Sequence, residues 1–120
     1  MNRLAHPAWV TLLAALLLVT AVLARAGGDP LALARLGTRF SLADPAGTEG
    51  YDGQFIYYIA RDPRPSAVTP FIDDPPYRYQ RILLPLLARA FSFGSAAALP
   101  WVLIGLGLAS HTAGTWAVAE

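Results

Sequence analysis

Residues 8–24 read AWVTLLAALLLVTAVLA, and this run decides the fold. Nothing in it carries a formal charge, and it closes at Arg25. A membrane span needs ~20 predominantly apolar residues, within a range of ~17–25. The run is short but adequate, because Arg25 can extend its charge outward past the apolar boundary. Pro7 suits a helix start, where its missing N–H costs nothing, and Trp9 sits where an interfacial aromatic belongs. The expected arrangement is an N-terminal tail over 1–7 and a transmembrane helix over 8–26. A cleaved signal peptide is the rival reading: Arg3 supplies a positive leader and Ala24-Arg25-Ala26 an A-x-A match. The apolar core exceeds the usual ~7–15 residues of such a leader, and an Arg inside its cleavage motif is unusual.

Outward from this run, composition agrees with a lipid solvent. The 120 residues are 55% hydrophobic and 14% charged, against ~25% charged in a soluble domain; mean hydropathy is +0.43. The net charge of +1 offers no basic patch for nucleic acid. Without cysteine there is no disulfide framework, thiolate nucleophile or Cys-based metal site. All nine basic residues are Arg; codon bias of a GC-rich genome accounts for this, although the guanidinium fork also suits phosphate.

After Arg89 no formal charge appears until Glu120. The stretch 96–119 is long enough to span, with Trp101 and Trp116 near its ends. Gly105, Ala109 and Ala113 fall at four-residue spacing, so a small face lines up for another transmembrane helix; alanine-rich composition is the plain alternative. His111 lies inside this span, where an ionisable residue is a functional candidate, facing a neighbouring helix or the headgroups.

The segment 27–90 holds eight of the ten prolines and nearly all the charge. Short helices are expected over 30–36, started by Asp29-Pro30 and ended by Gly37, and over 53–61, ended before Pro63. Phe55, Tyr58 and Ile59 share one face of the second, which can lie on a membrane surface or pack on the spans. A third helix is expected over 77–90, kinked at Pro85. The fold class is therefore an all-α membrane protein: two transmembrane helices joined by a long loop with short amphipathic, juxtamembrane helices.

No Gly-rich phosphate loop, paired-His metal motif or nucleophile elbow is present. The candidate chemistry lies in Asp52, Asp73, Asp74, Arg78 and Arg81. Asp52 reads either as the cap of the 53–61 helix or as a carboxylate for general-base work; with Asp73 or Asp74 it can also hold a divalent metal. Arg78 and Arg81 share a helical face and pair either with a phosphate or with Asp73 and Asp74.

The stretches YDGQFIYYIARDP (51–63) and YRYQRILLPLLARA (77–90) resemble the first extracytoplasmic loop of GT-C superfamily glycosyltransferases. The likeness is closest to the mannosyltransferases of glycosylphosphatidylinositol assembly and their bacterial relatives. Tyr51, Asp52, Gly53, Phe55, Tyr58, Ile59 and Ala60 fit the first motif of that family, with Tyr58 one position late. Arg81, Pro85, Leu86 and Leu87 fit the second loosely. The resemblance implies a polyprenyl-phosphate-linked sugar as donor, with Asp52 as the catalytic acidic residue. It also implies Arg78 or Arg81 near the lipid phosphate, and Tyr51 and Gln54 in the substrate-binding set. The implied location is the cell inner (cytoplasmic) membrane, multi-pass, with the N-terminus cytoplasmic. Such enzymes commonly have eight or more spans, so the chain is expected to be the N-terminal part of one and inactive alone. The alternative expectation is a non-enzymatic two-span protein that packs against other transmembrane helices in a larger complex.

Overall fold

The computed structural model describes residues 6–119. The expected tail at 1–7 therefore lies outside the described residues except for His6 and Pro7, as does Glu120. Helix α1 runs Pro7–Arg25 and helix α8 runs Leu99–Ala119. Between them come α2 (Leu31–Ala34), α3 (Thr38–Ser41), α4 (Gly53–Arg61), α5 (Pro65–Val68), a 3₁₀ turn (Thr69–Phe71), α6 (Pro75–Tyr79) and α7 (Leu83–Phe91). Among the described residues there is no strand, only an isolated bridge between Leu36 and Gly50.

Helices α1 and α8 are long and apolar enough to cross a membrane, about 28 and 31 Å at 1.5 Å per residue. They pack antiparallel. The His6 ring, at the start of α1, stacks on Trp116, near the end of α8, with centroids 4.3 Å apart. Along α1 the buried or half-buried positions are Ala8, Thr11, Leu12, Ala15, Val19, Val22 and Leu23. That spacing of three and four is the narrow seam of two packed helices. The remaining surface is uncovered: Leu13, Leu17 and Leu18 are 62%, 72% and 65% exposed. His6 caps α1, its Nδ1 accepting from the Ala8 N–H at 3.2 Å.

The short helices form a layer over one end of this pair. Its core is α4, with Phe55, Tyr57, Tyr58, Ile59 and Ala60 all buried against Val68, Ile72, Ala88 and Leu99. Burial nearly all round makes α4 a helix packed within the layer and against α8. Its C-terminal carbonyls meet a cation, because Arg89 of α7 donates to the carbonyls of Ala60 and Arg61, the favoured charge at a helix C-terminus.

The loop 36–50 is closed on α4 by Gln54. Its Oε1 accepts from the Gly37 N–H at 3.0 Å and its Nε2 donates to the Glu49 carbonyl at 2.5 Å. Gly50 (φ +72°) is required there, since a Cβ would sit 2.5 Å from the Arg35 oxygen.

Three expectations are corrected. The helix expected over 30–36 is only Leu31–Ala34 and ends on Arg35 in the left-handed region, with Gly37 extended. The single kinked helix over 77–90 is two helices. The first starts earlier, on the proline pair Pro75-Pro76, and the chain turns at 80–82. Pro85 then occupies the first turn of α7, where no carbonyl awaits its N–H, so a break replaces the kink. The second long helix starts at Leu99 rather than 96, because Ser95 holds the preceding turn through the Ala98 N–H.

Two buried polar groups give opposite expectations. The buried Tyr58 hydroxyl makes no hydrogen bond of good geometry among the described residues; the neighbouring Ser41 hydroxyl, which donates to the Gly37 carbonyl, only partly offsets the effect of burial. Burial accordingly pushes the Tyr58 phenol up. Gln54→Leu strands an N–H and a carbonyl and should cost about 2 kcal/mol, whereas Tyr58→Phe removes an orphan group and should be neutral or gain up to about 1 kcal/mol. Thermal unfolding in detergent, followed by circular dichroism, checks both; a Tyr58→Phe variant as damaged as Gln54→Leu would contradict this assignment.

Candidate functional site

Arg78 organises the polar end of the molecule. Asp74 caps α6, accepting from the Tyr77 N–H at 3.3 Å, and Pro75-Pro76 fix the first turn. This sets Arg78 facing back across α4. Its Nε and Nη2 donate to the two carboxylate oxygens of Asp73, each at 2.8 Å, the bidentate geometry for which a guanidinium is shaped. Its Nη1 lies 3.2 Å from Asp52 Oδ2, and its Cζ stands 4.0 Å above the Phe55 ring. The Arg78 side chain is 15% exposed, while that of Asp52 is 74% exposed.

The structure thus brings together Asp52, Asp73 and Arg78 of the sequence-derived set. The capping role read for Asp52 is corrected: its side chain makes no cap bond, and its backbone is already helical. The carboxylate goes to Arg78 because Arg78 fills the space above Phe55 beside it. Arg81 stays close by, with its Nη2 3.4 Å from the Tyr77 hydroxyl and no carboxylate partner among the described residues. Asp74 is spent on its cap. Gln54 serves the loop closure described above, and the Tyr51 hydroxyl accepts from Arg35 Nη1 at 2.9 Å.

Beside the triad lies a polar cleft of about 640 Å³, lined by Arg39, Glu49, Asp52, Asp73 and Arg78 among others. Arg39 and Glu49 pair at 2.6 Å on its rim. Sequence reasoning missed both, since only the folded 36–50 loop carries them to Asp52. A second feature is an apolar groove of about 440 Å³, between the long helices under α2 and α4. Ile56, Leu84, Leu103, Leu108 and His111 are among its lining residues. His111 is exposed and stands at the edge of this groove.

The Arg78 side chain is the main cause that holds the Asp73 carboxyl below its ordinary value. Asp73, followed by Asp52, pushes the Arg78 guanidinium further toward its charged form against the cost of burial. This bears on a divalent metal. The space between Asp52 and Asp73 is filled by a guanidinium, Asp74 is turned to a backbone N–H, and no group of three His, Asp or Glu gathers among the described residues. The donor set does not fit a divalent cation at this place.

Comparisons with family models, with curated proteins and with solved structures give no match for the chain.

Because the folded value of Asp73 is depressed, its pairing stabilises the protein above the unfolded carboxyl value of about 3.9 and is lost as pH falls through the lower folded value. In a carboxyl-carbon NMR titration in micelles, Asp73 should titrate below its ordinary range, and Arg78→Gln should return it toward about 3.9. An Asp73 midpoint unmoved by Arg78→Gln would remove Arg78 as the cause.

Proposed function

We propose that the chain is embedded in the cytoplasmic membrane through α1 and α8 and forms the N-terminal portion of a GT-C-like glycosyltransferase site. In this reading the N-terminus is cytoplasmic, and the 26–98 layer lies on the outer face of that membrane. The membrane part is supported by the exposed leucine surface of α1, which a chain in water would have to cover. Packing of α1 along α8 supports a retained anchor over a cleaved leader.

The single observation that carries the enzymatic part is the meeting of Asp52 and Arg78. They come from the two separate stretches that carry the resemblance, although Arg78 is not itself a motif match, and they join at a polar cleft with an apolar groove nearby. The chemistry follows from that placement. Asp52 presents a mostly exposed carboxylate to the cleft, with Oδ1 free of hydrogen bonds among the described residues. It is positioned to accept a proton from an acceptor hydroxyl. Arg78 is already engaged by two carboxylates, so Arg81 is the cation left to face the departing polyprenyl phosphate. The apolar groove suits the first isoprenoid units of the donor. Further spans complete the site, because two helices and one layer do not enclose a lipid donor and an acceptor away from water.

A second reading has one observation of its own. Gly105 has open space where a side chain would project, and Ala109 and Ala113, at four-residue spacing from it, are exposed, so α8 offers a small face to another helix. A non-enzymatic packing partner in a larger membrane complex uses that face alone.

Asp52→Asn, in a form carrying all the spans of the enzyme, should lower sugar transfer from a polyprenyl-phosphate donor by at least about 10²-fold while donor binding persists. Unchanged turnover would remove Asp52 from the reaction. In the packing reading, a cysteine crosslink from Gly105→Cys captures a heteromeric partner, and no polyprenyl lipid copurifies.

A further inference from the structure

On the opposite side of Tyr51 from the cleft lies an open groove of about 850 Å³, bordered by Val22 and Arg25 of α1, by Asp29, and by Arg35, Leu36 and Tyr51. If α1 spans, as proposed above, its length of about 28 Å matches the hydrocarbon thickness of about 30 Å. Arg25, its last residue, then stands at headgroup depth. Neither Arg25 nor Arg35 has a carboxylate partner among the described residues. The one acid on the groove, Asp29, is directed at the start of α2, accepting from the Leu31 N–H at 2.9 Å.

Arg35 is held there against its backbone preference. It ends α2 at φ 47°, ψ 67°, the left-handed conformation that glycine adopts without cost and other residues do not. Its guanidinium is fixed over the Tyr51 ring at 4.5 Å and donates one bond to the Tyr51 hydroxyl, leaving its other N–H donors for a ligand. A strained backbone that keeps a charged side chain in place is the pattern of a functional position.

We propose that this groove binds the phosphodiester of an anionic phospholipid. Arg25 and Arg35 clasp the headgroup, and Val22 and Leu36 lie along the first acyl carbons. The proposal rests on the membrane reading above.

The test uses the full chain in phosphatidylcholine vesicles containing spin-labelled phosphatidylglycerol or spin-labelled phosphatidylcholine. The motionally restricted fraction is measured by electron paramagnetic resonance. The expected result is a preference for phosphatidylglycerol of about fivefold, lost in Arg25→Gln/Arg35→Gln and kept in Arg39→Gln, whose cation lies off the groove. Arg35→Gly removes the cation while favouring the left-handed backbone, so its fold survives and its preference should fall. An excess of inorganic phosphate at constant ionic strength should leave the preference intact. The proposal is overturned by equal restriction of both lipids, by retention of the preference in the double variant, by an equal drop in Arg39→Gln, or by displacement with inorganic phosphate, which marks a free-phosphate site. Absence of restricted lipid of either kind would instead sink the membrane reading itself.

Discussion

The seam between α1 and α8 is the constraint on which the rest depends. Two apolar helices touch along one narrow stripe, fixed at one end by the His6–Trp116 stack. Away from that stripe and from the end under the layer, their surface has no protein cover. The molecule is 52 Å in its longest extent, of which the helix pair takes about 30 Å, and the loop layer occupies the far end. If that uncovered surface meets hydrocarbon, packing, polarity and site fall into one scheme. The layer then rests at the headgroup level, with the carboxylates and cations facing water.

Within the layer, α4 does for the loop what the seam does for the helices. It is buried on almost every side, so its neighbours are arranged by it: Gln54 closes the 36–50 loop, Phe55 carries Arg78, and Arg89 closes its C-terminus. The Asp73–Arg78 clamp then sets where Asp52 can go. A half-buried cation held by charge-assisted bonds to two carboxylates resists rearrangement. The exposed Asp52 is therefore presented by a rigid support and not by a flexible loop.

Much of this was legible in the residues. The first apolar run gave α1 to within one residue, since charge and proline mark its ends. Helix α4 was read at its observed bounds from Gly53 to Arg61, because Pro63 and the aromatic spacing are local signals. Asp52, Asp73 and Arg78 were named as candidates, and they do meet. What was not legible depended on distant contacts. The break before α7 required knowing that Pro85 could sit in a first turn. Helices α3 and α5 leave no trace in the sequence, because four-residue helices carry no periodicity. The cleft residues Arg39 and Glu49, and the left-handed Arg35, acquire their places only when Gln54 folds the loop onto α4. The sequence leaves open whether Asp52 caps α4 for the same reason, since Arg78, which takes its carboxylate, is 26 residues away.

The central claim is that the leucine face of α1 lies in hydrocarbon while the layer lies in water. The chain has no cysteine, so single cysteines report without background. In intact membrane vesicles, Leu17→Cys should resist a charged maleimide until detergent is added, and Ala46→Cys should react from one side of the membrane. Labelling of Leu17→Cys as fast as Ala46→Cys, without detergent, would contradict the account.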